Sequence, residues 1–319
     1  MVFTAKKAHE LLEVLDDVHK EYFKGREKEY PYAEWEAKRA VVKERLRRLP
    51  EYLRKASEAL SKQGDARGRP EKLQLEKKAF LFLLTRMLRK SNRGMEEVLE
   101  LFQPLFDFDV SYKYIERLYS DEEVKLVLHN LFILLVESEG TSGNFSGDGT
   151  GYSLKVEQHY RTQPRKKGKK YLFSFALLDL HTGMYVASGF SRKSEMDAFN
   201  KSLVFLEKLG IPVDSVRLDK YYSSRKVLRM FGKKVSVFVI PKKNIAHIGS
   251  EWLRVFKRIM ESPFAFLNQY FLRNASEAGF SSDKRRYGGG IMQKLEERQE
   301  SALFSLALLH NIHAVRINR

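Results

Sequence analysis

The spacing of the apolar residues changes near residue 140, and this change limits the folds that are open to the chain. Before it, apolar residues recur at helical spacing in three long stretches, residues 8–23, 32–49 and 75–90. After it, short runs rich in β-branched and aromatic residues are bounded by Gly-containing turns, which is typical of strands. The sequence therefore predicts two domains, a helical one over residues 1–140 and a sheet-containing one over 141–319.

Strands and helices alternate in the second region. The Gly- and Ser-rich segment 139–151 is predicted to be a linker running into the first strand. The predicted strands are residues 152–160, 170–180, 183–190, 215–219 and 234–241, and helices are predicted at 194–210, at 223–232 and towards the end of the chain. Three consecutive strands, two crossovers and a flanking helix are what an RNase H-like domain requires. We therefore expect an α/β fold with an RNase H-like mixed sheet flanked by helices and preceded by an all-α domain.

Two short helices near the end of the helical region suggest a nucleic-acid reader. One helix is predicted over 94–102, a break falls around Pro104, and Ser111 is a typical N-cap for the next helix. Helices joined in this way over residues 94–120 resemble a helix-turn-helix, with Lys113 and Arg117 on the helix that would contact DNA. A plain helical hairpin explains the same pattern, because the helix-turn-helix has no strict sequence code.

The positive charge is concentrated in the second region. The chain has a net charge of +17, and residues 141–319 hold 31 Lys and Arg against 15 Asp and Glu. Such an excess favours a polyanionic partner, although charge alone does not choose between nucleic acid and an anionic membrane. The chain has no cysteine, no apolar stretch long enough to span a bilayer and no signal-peptide pattern. We therefore expect a soluble cytoplasmic protein without a membrane partner.

Two aspartates stand where a sheet could bring metal ligands together. Asp148 lies at the start of the predicted first strand and Asp219 ends another strand. Ligands bind at such strand ends in open α/β sheets, and carboxylates are the ligands that Mg²⁺ and Mn²⁺ prefer. Taken alone, Asp148 is also explained as a turn residue and Asp219 as a helix N-cap. Asp179 and Asp197 are further candidates, better explained by a hairpin turn and by an exposed first helical turn.

A fifth acidic candidate, Glu277, lies in the strongly basic segment 268–286. At 100° per residue, four residues of this segment fall within an arc of about 60° on one helical face: Tyr270, Arg273, Glu277 and Lys284. An ordinary surface ion pair explains Arg273 beside Glu277, since the two are one turn apart. It does not explain why Tyr270 and Lys284 share that face.

The spacing Tyr270–x2–Arg273–x3–Glu277–x6–Lys284 resembles the Tyr-Arg-Glu-Lys signature of DDE transposases from prokaryotic insertion sequences. Two other stretches resemble the aspartate regions of that family: DGTGYSLKVEQHY, residues 148–160, and VRLDKYYSSRKV, residues 216–227. The resemblance covers roughly residues 144–316. One departure is Tyr221, which stands where family members often have glycine two residues after the second aspartate.

The resemblance implies a site and an activity. Asp148, Asp219 and Glu277 would be the catalytic residues and would bind two Mg²⁺ or Mn²⁺ ions on an RNase H-like fold. Arg273 and Lys284 would bind phosphates beside the scissile bond, and Tyr270 would pack against the transposon end. The expected enzyme binds the terminal inverted repeats of an insertion sequence, cleaves double-stranded DNA and transfers the strand to target DNA, as a homodimer in its synaptic complex.

Two alternatives remain open from the sequence. One is another RNase H-like nuclease, such as a resolvase or a ribonuclease, against which the helical N-terminal region and the Arg and Lys of the signature argue. The other is a catalytically inactive DNA-binding protein derived from a transposase, which is disfavoured because all three carboxylates are present. In the expected DNA-cleaving enzyme, backbone phosphates would be contacted by the basic segments 161–170, 233–243 and 283–286.

Overall fold

The computed structural model describes residues 4–22, 32–60, 72–103, 109–155, 171–243, 245 and 248–316. Its first part is helical, as predicted, and contains α1 (Ala5–Tyr22), α2 (Tyr32–Glu58), α3 (Leu75–Met87), α4 (Asn92–Leu101), α5 (Tyr112–Leu118) and α6 (Glu122–Glu139). Ser111 caps α5, as predicted, since its Oγ accepts a hydrogen bond from the Tyr114 backbone N–H at 3.4 Å. The predicted break around Pro104 lies outside the described residues.

The second part alternates strands and helices before it becomes helical again. Its elements are β1 (Asn144–Leu154), β2 (Tyr171–Asp179), β3 (Tyr185–Ser191), α7 (Glu195–Lys208), β4 (Ser215–Leu218), α8 (Arg225–Met230), β5 (Ser236–Phe238), α9 (Ser250–Glu261), α10 (Pro263–Phe271), α11 (Asn274–Tyr287), β6 (Gly290–Ile291) and α12 (Glu296–His313). Ser194 caps α7 as expected, because its Oγ accepts from the Asp197 N–H at 3.1 Å.

The strands form one mixed sheet in the order β3-β2-β1-β4-β5. β1, β2 and β3 pair antiparallel, whereas β4 and β5 run parallel to β1, and β6 pairs with the end of β1. The predicted fold class, a mixed sheet flanked by helices after a helical N-terminal region, is confirmed. Because β1 is central, its residues lie beside both the antiparallel and the parallel half of the sheet.

The predicted start of the first strand was wrong. Residues 144–151, assigned to a linker, belong to β1, and Asp148 lies in the middle of the strand opposite Ala176 of β2. The sequence hides this strand because Gly147, Gly149 and Gly151 have low strand propensity. The packing explains them: a Cβ on Gly147 would lie 2.7 Å from Phe175 Cζ and 2.8 Å from Leu218 Cδ2.

The helical region and the sheet share one hydrophobic core. α12 is buried on almost every side and packs against α2, α3 and α6 as well as against β3 and α11. Arg45 of α2 donates to the α12 carbonyls of Asn311 at 3.1 Å and Ile312 at 3.2 Å, which satisfies acceptors that a helix end leaves free. The boundary predicted at residue 140 falls in the turn between α6 and β1, but α12 joins the two regions.

Candidate active site

One face of β1 is polar and lies along α11. Ser146 Oγ donates to the Arg273 carbonyl at 2.8 Å and lies 2.7 Å from Ser276 Oγ. Further along the same face, the Lys284 ammonium donates to Thr150 Oγ1. Because strand side chains alternate, Asp148 lies on this face between Ser146 and Thr150. The helix that carries Glu277 is therefore fixed beside the strand that carries Asp148.

Asp148 is partly buried, and its surroundings disfavour its charged form. Burial raises the pKa of Asp148 to about 7, although the backbone N–H of Gly149 opposes the rise. The negative charges of three neighbouring carboxylates raise the same pKa further: Glu277, Glu195 and Asp219. Each of these three carboxylates is therefore close enough to Asp148 to disfavour its charged form.

Asp219 follows β4, and the parallel pairing of Gly147 with Leu218 sets it beside Asp148 on the neighbouring strand. Its Oδ2 accepts a hydrogen bond from the Tyr221 N–H at 3.1 Å, so the residue is also the N-cap of a short 3₁₀ turn. The capping role suggested by the sequence is therefore present, and it leaves Oδ1 directed to the site. Tyr221 fits this turn with an exposed ring and without a positive φ.

Glu277 lies in the first turn of α11, and its side chain is 46% exposed. The Arg273 guanidinium bridges two of the acids, because its Nη1 pairs with Glu277 and also lies 3.5 Å from Asp219 Oδ1. The ion pair suggested by the sequence is thus real, and it includes Asp219 as well. In the part of the chain that the structure describes, no three acidic or histidine side chains come close enough together to hold one metal ion.

The prediction that Tyr270, Arg273, Glu277 and Lys284 share one face of a single helix was wrong. α10 ends at Phe271 and α11 begins at Asn274, so Tyr270 and Glu277 lie on different helices. Tyr270 is only 4% exposed, and the guanidinium of Arg273 lies 5.1 Å from its ring centroid. The buried ring supports Arg273 in this structure. Packing of Tyr270 against DNA stays a prediction.

Lys284 lies further along α11, near the other end of the polar face. Its ammonium contacts Thr150 and lies 5.2 Å from the ring centroid of Tyr152. Partial burial lowers the pKa of Lys284, and the charge of Asp148 opposes this effect. Lys284 is therefore a cation held on the same side of β1 as the carboxylates.

Sequence reasoning missed Glu195, in the first turn of α7. Its carboxylate occupies the space above Gly149, where a Cβ would collide with it, and it accepts a hydrogen bond from Tyr222 at 2.6 Å. Burial and then this hydrogen bond raise the pKa of Tyr222 far above its usual range. The signal available in the sequence was an acidic residue opening the first helix after the antiparallel strands. Glu195 packs on the opposite face of β1 from Asp148, and its effect on the pKa of Asp148 shows that it lies near the site.

The other acidic candidates, Asp179 and Asp197, have structural roles, as expected. Asp179 is fully buried and accepts hydrogen bonds across the hairpin turn, including those from the N–H groups of His181 at 2.8 Å and Thr182 at 2.9 Å. Asp197 accepts from Ser191 Oγ at 2.6 Å in the first turn of α7. His310 bonds Asp283 at 2.9 Å and stacks on a tyrosine, which makes it a packed residue.

The predicted DNA-reading side chains of α5, Lys113 and Arg117, are both exposed. α5 packs against α4, so the two helices form the expected pair. Whether this pair reads DNA stays a prediction.

Comparison with known proteins identifies the family. The curated protein from Archaeoglobus fulgidus named "Probable transposase for insertion sequence element ISA1214" is 57% identical to this chain over 316 residues, which cover 99% of this chain and 98% of the relative. The chain therefore belongs to the same family of insertion-sequence transposases. No protein-family model matches it.

A solved structure of the piggyBac transposase synaptic complex with hairpin DNA also matches, with a TM-score of 0.48 and 8% identity. That match covers 86% of this chain and 71% of the other. Among the helices that the structure describes, none is both long and apolar enough to cross a membrane.

Proposed function

We propose that the protein is a DDE transposase, which binds the ends of an insertion sequence and catalyses metal-dependent strand cleavage and strand transfer. The observation that carries the proposal is the environment of Asp148. In a chain of a transposase family, this central aspartate has a pKa raised to about 7 by burial and by neighbouring carboxylates. The sheet order β3-β2-β1-β4-β5 also supports the predicted RNase H-like domain.

The donor chemistry of the three predicted ligands fits divalent metal ions, although their oxygens do not converge around one ion in this structure. Asp148, Asp219 and Glu277 offer only carboxylate oxygens, the hard ligands that Mg²⁺ and Mn²⁺ prefer. The repulsion that raises the pKa of Asp148 persists although Arg273 already bridges the other two acids, so these carboxylates favour additional positive charge. When bound, a pair of such ions supplies an activated nucleophile and stabilises the leaving oxygen of a phosphodiester.

Two cations of the chain position the DNA strand. Arg273 is half-enclosed by the site, and its buried Nε has no hydrogen-bond acceptor among the described residues. A phosphate oxygen beside the scissile bond would bind the solvent-facing part of this guanidinium, whose side chain is 20% exposed. The ring of Tyr270 would hold the guanidinium in place. Lys284 would bind a second phosphate from the Thr150 side of β1.

The wider partner is double-stranded DNA, both the terminal inverted repeats and the target. The excess of cations in residues 141–319 supports a polyanionic partner. Of the basic segments singled out in the sequence, 161–170 lies outside the described residues. The helical region would recognise the repeats, with Lys113 and Arg117 exposed for that contact. Pairing of two ends would require a homodimer.

Strand cleavage of a supercoiled plasmid that carries the two element ends tests the proposal. We expect Mg²⁺-dependent cleavage by the wild type and none by Asp148→Asn, Asp219→Asn or Glu277→Gln, each of which still binds the ends. Asp197→Asn is the matched control, because Asp197 is an acidic residue with a structural role, and it should cleave normally. Normal cleavage by any of the three site variants would refute the site.

The same cleavage assay separates the alternatives when branched DNA is offered as a second substrate. A resolvase or other nuclease would cleave branched DNA in preference to the element ends. An inactive DNA-binding descendant would bind the ends and cleave neither substrate.

A further inference from the structure

A basic groove lies between the helical region and the sheet region, on the far side of Lys284 from the carboxylates. It encloses about 770 Å³ and is lined by the junction of α3 with α4, the end of β1 and the segment from Tyr287 to Arg298. Its lining includes six cations: Arg86, Arg89, Lys90, Lys155, Lys294 and Arg298. The acid among the lining residues, Glu116, is already paired with Arg298.

Four of these cations are available for a ligand. Arg86 is held by Ser305 Oγ at 3.1 Å and by the Ala302 carbonyl at 3.3 Å, so it joins the groove to α12. Arg298 is paired with Glu116. The remaining four cations are exposed and form no ion pair with any residue that the structure describes: Arg89, Lys90, Lys155 and Lys294. Cations gathered in this way repel one another, so an anionic ligand would stabilise the groove.

Arg89 adopts a conformation that its residue type disfavours. Its φ is 56°, and it is the only residue other than glycine with a positive φ in the described part of the chain. The Arg89 N–H donates to the Arg86 carbonyl and the Lys90 N–H donates to the Thr85 carbonyl, which is the helix-ending motif that favours glycine at this position. The helix end therefore does not explain an arginine here, and an observed outlier of this kind points to function.

The opposite wall accommodates the Arg89 side chain. A Cβ on Gly288 would lie only 3.2 Å from Arg89 Nη2, so the glycine leaves room for the guanidinium. Gly288 directly follows α11, the helix of Glu277 and Lys284. Arg89 thus brings a positive charge from the helical region to the end of α11.

β1 links this groove to the carboxylates. Its end is tied to the groove wall, since the Ser153 N–H donates to the Gly289 carbonyl at 3.1 Å and the Lys155 N–H to the Ile291 carbonyl at 3.0 Å. Lys155 lies seven positions after Asp148, which corresponds to roughly 23 Å of strand. One turn of B-DNA is about 34 Å long, so a single duplex can extend from the carboxylates to the groove.

We propose that the groove binds the sugar–phosphate backbone of the same duplex that the carboxylates cut, within one helical turn of the cut. This inference rests on the proposed function for the identity of that duplex. The cations come from both regions of the chain, so the bound duplex would contact the helical region and the sheet region together. The contact is to phosphates, so it is independent of base sequence.

A DNA-binding assay tests the groove. Fluorescence anisotropy follows binding of the full-length protein to a duplex of about 40 base pairs, without divalent metal and at salt concentrations between about 50 and 200 mM. The variant is Lys90→Gln/Lys155→Gln/Lys294→Gln. The slope of log Kd against log salt concentration should fall by about three, one for each phosphate contact, and Kd at the lowest salt should rise at least about tenfold. The control is Lys6→Gln/Lys43→Gln/Lys208→Gln, which removes the same charge from three exposed lysines outside the groove and should keep the wild-type slope.

A second variant guards against misfolding. Arg89→Gly removes the cation and relieves the positive φ, so its melting temperature should equal or exceed that of the wild type while its affinity for the duplex falls several-fold. Wild-type affinity in this variant and in the triple variant would overturn the proposal, and so would an equal loss of slope in the control. Displacement of the duplex by polyglutamate as readily as by unlabelled DNA would indicate an acidic protein as the occupant and would also overturn it.

Failure of the groove and failure of the proposed function can be told apart. Glu277→Gln should bind the duplex with the wild-type salt slope and should not cleave it. If the groove variants bind normally while Glu277→Gln is inactive, only the groove proposal fails. If Glu277→Gln cleaves normally, the proposed catalytic site fails whatever the groove variants do.

Discussion

The two faces of β1 have opposite roles, although their residues alternate along a single strand. One face carries Gly147, Gly149 and Gly151, and their lack of side chains lets neighbouring residues and the carboxylate of Glu195 pack directly on the strand. The other face carries Asp148 and Thr150 and lies against α11, with its cations and Glu277. Packing on the glycine face sets the position of the strand, and the polar face holds the acidic groups.

This difference explains why the same short stretch is poor in strand-forming residues and rich in charge interactions. A residue on the glycine face should affect stability more than chemistry. A substitution on the polar face should affect chemistry. Where it replaces a carboxylate whose charged form is disfavoured, such as Asp148, the neutral variant should also be more stable than the wild type. Substitutions on each face can break or sharpen this comparison.

The largest expected effect is on the polar face. Asp148→Asn should reduce the rate of strand cleavage by at least about a thousandfold, or about 4 kcal/mol in the barrier, since it removes a ligand charge from the centre of the site. The check is single-turnover cleavage of element ends with Mg²⁺. Circular dichroism of the variant should match the wild type, and a rate within tenfold of the wild type would contradict the role of this face.

Gly147→Ala should have the opposite profile. The new Cβ would meet Phe175, Leu218 and Leu177 at 2.7 to 3.0 Å, so we expect a loss of about 3 kcal/mol in the free energy of unfolding. Urea denaturation measures this loss. Cleavage per folded molecule should stay within a few-fold of the wild type, and a variant that is stable but inactive would show that the glycine face takes part in chemistry.

Glu195→Gln tests the carboxylate that reaches the site across the glycine face. We expect a tenfold to hundredfold slower cleavage, because the residue supports Asp148 from beside Gly149 without being one of the three predicted ligands. Tyr222→Phe, which removes the hydrogen bond to Glu195, should have a smaller effect. An unchanged rate and an unchanged Mg²⁺ dependence in Glu195→Gln would limit this residue to packing.

The smallest expected effect is the pH dependence of stability without metal. The pKa of Asp148 is raised in the folded protein to about 7 from 3.8, so the folded state holds the proton more tightly than the unfolded state. The protonated Asp148 therefore contributes to the free energy of unfolding below about pH 4, and this contribution is lost as the pH rises to about 7. Discounted for the remaining solvent exposure, the loss is on the order of 1 kcal/mol. In EDTA, Asp148→Asn should unfold at a higher temperature than the wild type at pH 8 and should show no such advantage at pH 4.

Local patterns predicted most of the fold, because helical spacing, caps such as Ser111 and Ser194 and the hairpin turn at Asp179 depend on residues close in sequence. The start of β1 could not be predicted in this way, since its glycines are explained only by side chains from β2, β4 and α7. Glu195 was missed for the same reason. The break between α10 and α11 separates Tyr270 from Glu277, and nothing in the regular spacing of the segment indicated it.

The most direct test of the central claim is a map of where a divalent metal binds the protein. Fe²⁺ that replaces Mg²⁺ produces hydroxyl radicals with ascorbate, and these cut the polypeptide beside the bound ion. The account predicts cuts near Asp148, Asp219 and Glu277, all suppressed by excess Mg²⁺ and all absent in Asp148→Asn. Cuts elsewhere in the chain, or cuts at these positions that persist in Asp148→Asn, would contradict a metal site on the polar face of β1.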